Sequence, residues 1–121
     1  MVGMRDLIFL GDSLKRFRRL PQEVQDDIAF ALIRAQEGKR HDSAKPLKGF
    51  GGASVLEVAE DHNKETHRAV YTTKFEDAIY VLHVFQKKSK RGIETPRNEM
   101  EIIISRLKAL EKEQESGRKR K

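Results

Sequence analysis

The run of eight residues from Ala78 to Phe85 constrains the fold of this chain more than any other stretch. It is almost wholly apolar and rich in β-branched and aromatic types, a composition typical of a strand buried on both faces in the middle of a sheet. Within two residues the sequence becomes basic, at Lys87, Lys88, Lys90 and Arg91. A rigid strand that ends in cations holds positive charge at a fixed point, and a phosphate backbone is the natural partner for such a point.

Composition narrows the class of protein. The chain has 121 residues, which suits a single domain over 1–121 with a modest core. The absence of cysteine excludes disulfides, thiolate zinc sites and cysteine nucleophiles, and it is compatible with a reducing cytoplasm. No apolar run is long enough to span a membrane, and Asp12 interrupts what would be the core of a signal peptide. The net charge of +6 favours an acidic partner: nucleic acid, an anionic membrane surface or an acidic protein.

The N-terminal part predicts a short strand and a first helix. Residues 6–10 have strand character and end at Gly11, after which Asp12 or Ser13 can cap a helix. One side of this helix is apolar, through Leu14, Phe17 and Leu20. The other side is basic, through Lys15, Arg16, Arg18 and Arg19. Such a basic side is most often a solvated face, and the alternative is part of a nucleic-acid or partner surface.

A second helix is predicted between Pro21, which suits its first position, and Gly38, which suits its C-terminal stop. Its apolar stripe consists of Val24, Ile28, Ala31, Leu32 and Ala35, widened by Phe30 and Ile33. Because a single tight turn separates the two helices, we expect an antiparallel helical hairpin that packs on the sheet.

The segment 39–52 is too rich in glycine and proline for the interior of an element, so it is predicted to be a loop. It lacks the ending that a phosphate-binding loop requires. We expect Leu47 and Phe50 to pin the loop to the core while Lys45 and Lys48 point outward.

The rest of the chain predicts three strands and a helix. Strands at 55–60 and 67–73, joined by a polar hairpin loop, lead into the strand at Ala78 and form an antiparallel meander. Thr95 as N-cap and Pro96 as first residue open a last helix, whose stripe is Met100, Ile103, Ile104, Leu107 and Leu110. The predicted fold is therefore α+β: a helical hairpin on a twisted, mostly antiparallel four-stranded sheet, a C-terminal helix, and a frayed basic tail at 113–121.

The candidate catalytic and binding residues of this chain are cations. The four histidines lack the spacing of a metal site, and His83 in its apolar strand is interpreted as a satisfied core histidine. Arg68 lies inside a strand, where an arginine costs stability unless it has a partner, so we hypothesise that it faces solvent on a functional surface. On that hypothesis, removing Arg68 should leave the fold intact.

The order of elements and the local residues resemble toxins of the RelE/ParE superfamily, and specifically the HigB-like, phage-derived branch. The resemblance covers roughly Asp6 to Leu110. It depends on short motifs in order along the chain: 45–49 (KPLKG), 56–58 (LEV), 68–71 (RAVY), 82–88 (LHVFQKK) and 94–96 (ETP).

The resemblance implies a RelE-like fold and ribosome-dependent endonuclease activity against mRNA, by attack of a ribose 2′-hydroxyl on the adjacent phosphate. It implies no metal and no cofactor. The implied partners are a helix-turn-helix antitoxin, the ribosome and mRNA, in the cytoplasm and without a membrane. Fixed cations aimed at developing negative charge are an effective device for such a reaction, because RNA supplies its own nucleophile.

Carried over onto this sequence, Arg68 matches the family's strand arginine, and Lys88 with Lys87 beside it matches the basic position after the last strand. The RNA-binding residues implied in the same way are Lys45, Lys48, Lys90 and Arg91. We expect Arg68 and Lys88 to lie close together at one open sheet face.

The sequence departs from the family pattern at the position of the general base. The tyrosine or histidine of many relatives has no counterpart between Ser89 and Asn98, and the strand lysines of some relatives align with Glu57 and Ala59. Glu57 is a candidate base if it faces the cations. Equally, it is a structural partner of Arg68, and a carboxylate held in such a pair is poorly suited to transfer a proton near neutral pH.

Two other classes of function stay open. The ParE branch inhibits a topoisomerase and needs no catalytic cluster. A non-catalytic module that binds nucleic acid or protein is the third possibility, because basic proteins bind polyanions without doing chemistry.

Overall fold

The structure, a computed structural model, describes residues 4–87 and 95–119. The described residues form three helices and five strands, with four of the strands consecutive in the chain, which confirms the predicted α+β class. The elements are β1 (Asp6–Phe9), α1 (Ser13–Arg18), α2 (Gln22–Gln36), β2 (Ala44–Pro46), β3 (Val55–His62), β4 (Glu65–Thr72), β5 (Ala78–Lys87) and α3 (Arg97–Lys119). Over these described ranges, no helix combines the length and the apolar character that crossing a membrane requires.

Over the residues that the structure describes, the sheet has five strands in the order β1-β5-β4-β3-β2, one more than predicted. Strands β3, β4 and β5 form the predicted antiparallel meander, and β1 joins β5 in parallel. The extra strand is β2, which pairs with β3 over three residues within the segment predicted to be a loop. Pro46 is tolerated there because β2 is an edge strand, where a missing backbone donor breaks no ladder.

Strand β5 is an interior strand that is buried on both faces, as predicted. Its side chains Ile79, Val81 and Val84 pack under α1 and α2, while Tyr80, Leu82 and Phe85 pack under α3. Two hydrophobic clusters, one on each side of the sheet, therefore share this strand.

A bulge in β5 changes which side His83 faces. The register with β4 shifts so that Val70 pairs with His83 and Tyr71 with Val81, which leaves Leu82 as an extra residue. Strict alternation would place His83 with Val81 on the α2 side. Instead both Leu82 and His83 face α3, which brings a polar ring into the contact between that helix and the sheet.

Helix α2 buries the predicted stripe, except at its edges. Val24, Ile28, Ala31, Leu32 and Ala35 are all buried against the sheet, together with partly buried Phe17 and Leu20. Phe30 and Ile33 were wrongly included, because they remain 50% and 44% exposed on the solvent side of the helix. Leu14 on α1 is likewise exposed.

Gly38 ends α2 as predicted. It adopts a φ of +81° that favours glycine. The N–H of Lys39 donates to the carbonyl of Arg34 and that of Gly38 to the carbonyl of Ala35, which is a Schellman motif.

Pro21 and Pro96 each precede the first residue of their helix, whereas each was predicted to be that first residue. The carbonyls of Pro21 and Pro96 accept the first helical hydrogen bonds, from Gln25 and Met100. Each proline is therefore an N-cap rather than the first helical residue.

The β3–β4 hairpin is tighter than predicted, and α3 is longer. The strands extend until only Asn63 and Lys64 remain between them, both with positive φ, as in a type I′ turn. Helix α3 continues to Lys119, through part of the segment 113–121 predicted to fray. Gln114 gives this end of the helix an anchor, because its amide donates to the Tyr80 hydroxyl at 3.0 Å.

Candidate functional site

Four charged side chains form a row across the α3-facing side of the sheet. Lys45 of β2 pairs directly with Glu57 of β3, and Glu57 pairs with Val70. Arg68 lies two residues from Val70 and pairs with Phe85, and Lys87 lies two residues beyond Phe85. Residues two apart in a strand share a face, so the row runs Lys45, Glu57, Arg68, Lys87 over four neighbouring strands. We call these four residues the charged row.

Arg68 and Glu57 form a buried ion pair at the centre of the row. The Arg68 Nη1 donates to the Glu57 Oε2 at 3.0 Å. Arg68 is only 6% exposed, so the hypothesis that it faces open solvent was wrong. The paired carboxylate offsets the cost of taking the guanidinium out of water, which explains how a mid-strand arginine is accommodated.

The other predicted cations divide into buried and exposed groups. Lys87 is 8% exposed and lies at the last position of β5. Lys45 and Lys48 are exposed, Lys45 within β2 and Lys48 in the loop after it. Lys88, Lys90 and Arg91 lie outside the described residues, and the expected proximity of Arg68 and Lys88 therefore stays a prediction.

His83 is a satisfied core histidine, as interpreted from the sequence. It is fully buried, with Nε2 2.9 Å from Glu99 Oε1 and Nδ1 3.3 Å from Arg106 Nη1. A guanidinium can only donate, so Nδ1 accepts and the hydrogen lies on Nε2, which donates to Glu99. Burial lowers the pKa of His83 from its ordinary value, and the nearby Arg106 guanidinium adds to this against the opposing Glu99 carboxylate.

Arg106 connects this histidine to the start of α1. Its guanidinium donates to the Leu82 carbonyl at 2.8 Å and to Asp12 Oδ1 at 2.8 Å. Hydrogen bonds from Arg106 and Arg16 hold the pKa of Asp12 well below its usual range. Gly11 makes room for the guanidinium, since a Cβ at this position would come within 2.5 Å of Arg106.

The connection from Glu99 through His83 to Arg106 was not predicted from the sequence. A signal was available, because Glu99 and Arg106 are spaced so that they share a helix face with the buried Ile103. Charged residues on an apolar stripe indicate buried partners. Among the residues that the structure describes, no group of three or more His, Asp or Glu side chains could hold a metal ion.

Comparisons with known proteins agree with this architecture. The sequence matches the family "Phage derived protein Gp49-like (DUF891)" over residues 15–108. A comparison with curated protein sequences gave no match.

Among solved structures, the isolated E. coli RelE toxin is similar at a TM-score of 0.54 and 22% identity, over 74% of this chain and 88% of that chain. A mutant E. coli RelE toxin in the free state is similar at a TM-score of 0.52 and 22% identity, over 67% and 81%. The RelBE2 toxin–antitoxin complex from Mycobacterium tuberculosis is a weaker likeness, with a TM-score of 0.44 and 14% identity over 74% and 98%.

At this level of identity the RelE structures establish the fold alone, whereas the family match covers most of the chain. The protein has a RelE-like fold and belongs to the Gp49-like phage-derived family, a family of RelE/HigB-type toxins.

Proposed function

We propose that this protein is the toxin of a type II toxin–antitoxin pair and that it cleaves mRNA on the ribosome. In the proposed reaction, the ribose 2′-oxygen bonds to the adjacent phosphorus and the bond to the 5′-oxygen breaks. The 2′-hydroxyl loses its proton, the 5′-oxygen gains one, and the reaction uses no metal. The proposed setting is the cytoplasm, with a helix-turn-helix antitoxin as the inhibitor.

The observation that carries this proposal is the charged row. Three of its four members are cations, and the one carboxylate is engaged by Arg68. Buried charges act through a lower effective dielectric than exposed ones, so they stabilise a nearby developing charge more strongly. A reaction in which RNA supplies the nucleophile requires little more than orientation and such charge stabilisation.

The burial of each cation suggests its task. Lys45 and Lys48 are exposed and can contact backbone phosphates directly. Arg68 and Lys87 are buried, so we assign them to the positive potential at the scissile phosphate. Lys88, Lys90 and Arg91 keep the roles that the family resemblance implies, Lys88 at the reacting phosphate and the other two on the RNA.

Glu57 is assigned as the residue that holds Arg68 in place rather than as the general base. Its Oε2 already accepts a hydrogen bond from Arg68 at 3.0 Å, which commits the carboxylate to the guanidinium. A carboxylate stabilised in this way is a weak proton acceptor. Its contribution to the rate is then indirect, through the position of Arg68.

The test is cleavage of an mRNA on purified ribosomes by the full chain and by Arg68→Ala. We expect the variant to lose about a hundredfold in rate, the usual effect of removing one charge-stabilising donor. Lys108→Ala, an exposed lysine on α3, is the charge control and should cut at the parental rate. A 2′-deoxy substitution at the cleaved nucleotide should abolish cutting and leave ribosome binding unchanged.

Three results would overturn the proposal. A folded Arg68→Ala variant that cuts at the parental rate would show that the charged row takes no part in the reaction. Growth arrest by the expressed chain with gyrase poisoning and intact mRNA identifies a ParE-like topoisomerase inhibitor, and the absence of any arrest identifies a non-catalytic binding module.

A further inference from the structure

A basic pocket lies on the side of the sheet opposite the charged row. Its volume is about 350 Å³, and α1 and the ends of β4 and β5 enclose it. The polar lining consists of Asp12, Lys15, Arg16, Arg19, His67 and Gln86. His67 precedes Arg68 in β4, so their side chains point to opposite faces and the pocket is separate from the charged row.

The cations of α1 converge on this pocket. Lys15, Arg16 and Arg19 are spaced so that they share one side of the helical turn. Arg16 is engaged by Asp12 at 2.7 Å. Within residues 4–87 and 95–119, Lys15 and Arg19 have no ion pair or side-chain hydrogen bond. Three cations and one carboxylate thus line the pocket. Two of these cations, Lys15 and Arg19, make no such contact within the described residues.

His67 adds a buried polar atom that lacks a partner. The residue is 4% exposed, and its Nδ1 makes no hydrogen bond to any part of the chain that the structure describes. Its Nε2 lies 3.9 Å from Glu65 Oε2, which is beyond hydrogen-bond distance. A buried polar group without a partner is unfavourable and is commonly explained by a bound water, ion or ligand. In the tautomer that carries its hydrogen on Nδ1, this imidazole can donate to an acceptor with negative charge, and the cations of α1 line the same pocket.

We infer that this pocket binds one phosphate group of the RNA backbone. Phosphate oxygens accept hydrogen bonds from guanidinium, ammonium and imidazole N–H groups alike, and they complement the excess positive charge. The exposed Arg18, which precedes Arg19 in the sequence, and the net charge of +6 favour a polyanion over a single phosphorylated side chain. The choice of RNA rests on the proposed function, whereas the binding of phosphate does not.

The first arm of the test titrates inorganic phosphate against chloride at equal ionic strength and follows the ¹⁵N resonances of the His67 ring. Phosphate alone should shift them, and Lys15→Ala/Arg19→Ala should weaken this binding about tenfold or more. Lys108→Ala/Lys112→Ala removes the same charge at the same spacing from exposed positions on α3 and should have no effect. Unmoved His67 resonances, or equal weakening in the control, would overturn the inference.

Variants of His67 keep the test decisive. His67→Asn retains a donor close to the position of Nδ1 and should keep most of the affinity for phosphate. His67→Leu removes the donor and should lose affinity while remaining folded in a melting curve. Equal affinity in both variants would show that His67 is only part of the pocket wall.

The second arm adds a single-stranded 2′-O-methyl RNA, which cannot be cut. The RNA should displace phosphate from the pocket, with a larger dissociation constant for Lys15→Ala/Arg19→Ala than for its control. Phosphate binding without displacement by RNA would overturn the choice of ligand.

The two proposals fail separately. If the parental chain does not cut mRNA but the titrations succeed, the proposed function fails and the pocket stands. Arg68→Ala should leave phosphate affinity in the pocket unchanged. Lys15→Ala/Arg19→Ala should raise the KM for programmed ribosomes and leave kcat unchanged.

Discussion

The Nε2 atom of His83 lies 2.9 Å from Oε1 of Glu99, and this contact joins the buried middle of β5 to the first turn of α3. The same ring accepts a hydrogen bond from Arg106, about two turns further along the helix. A neutral imidazole satisfies both partners, because it donates at one nitrogen and accepts at the other. Protonation would turn the accepting nitrogen into a donor that faces a guanidinium.

Stability should therefore fall as the pH falls below about 6.5, the ordinary pKa of histidine. Burial lowers the pKa of His83 in the folded chain, so the unfolded chain binds the proton first and gains stability relative to the folded one. The loss of stability begins as the pH falls through the pKa of His83 in the unfolded chain. It is complete once the pH is below the pKa of His83 in the folded chain. Chemical denaturation between pH 8 and pH 5 measures it.

His83→Gln is the matched variant for this prediction, because its amide can still donate to Glu99 but does not titrate. It should be less stable than the parent at pH 8, and the difference should shrink as the pH is lowered. Parallel pH profiles for the two chains would show that His83 does not control this dependence.

Arg68→Ala should destabilise the fold by about 3–5 kcal/mol, the usual cost of removing one partner from a buried ion pair. The loss leaves the Glu57 carboxylate in a site with little access to water. This reverses the expectation that Arg68 could be removed without harm to the fold, which assumed a solvent-facing side chain.

A double-mutant cycle isolates the pair. Glu57→Ala/Arg68→Ala should be less destabilising than the sum of the single variants, with a coupling of about 0.5–3 kcal/mol in urea denaturation. Additive effects would mean that the 3.0 Å contact contributes nothing to stability. Cleavage assays of Arg68→Ala should be run well below its melting temperature.

Elements with a long, regular apolar pattern could be predicted from the sequence. The seven apolar residues between Ala78 and Phe85 in β5 and the apolar stripe of α2 are buried whatever elements pack against them, so composition and spacing were sufficient to predict both elements. Gly38 could be predicted for a local reason, since a helix end needs a residue that tolerates positive φ.

The features that could not be predicted depend on contacts between residues that are distant in sequence. Three residues are too few for β2 to show a period, and it is a strand only because β3 pairs with it. The bulge at Leu82 turns His83 toward Glu99, and nothing local in the sequence announces it. The charged row likewise follows from the register of four strands, so the sequence supplied its cations but not the burial of Arg68.

Ile28→Ala should cost about 2–5 kcal/mol, because Ile28 is fully buried between α2 and the sheet. Ile33→Ala makes the same chemical change in the same helix at a largely exposed position, and it should cost well under half as much. Urea denaturation of both variants gives the comparison. Equal losses would show that Ile33 packs as tightly as Ile28.

Gly11→Ala should cost more than Gly51→Ala, although both glycines have positive φ, at +54° and +69°. Each substitution carries a conformational cost of about 1–2 kcal/mol. At Gly11 the new methyl group would also displace the Arg106 guanidinium from its contacts, whereas nothing lies within 4 Å at Gly51. Melting curves should show the larger loss for Gly11→Ala, and similar losses at the two sites would mean that Arg106 adjusts freely.

Binding of the chain to a single-stranded, 2′-O-methyl RNA should weaken as salt is added, with a slope set by the lysines that reach phosphates. Each such contact contributes about 0.7 to the slope of log K against log salt. Lys45 and Lys48 are exposed, so Lys45→Ala and Lys48→Ala should each make the slope shallower by roughly this amount. Lys87 is buried, so Lys87→Ala should leave the slope unchanged and reduce the rate of cleavage instead.

Lys108→Ala on α3 controls for the loss of one exposed charge. If all four variants shift the slope equally, the chain binds RNA through its overall charge, and the exposed lysines beside the charged row have no particular part in it.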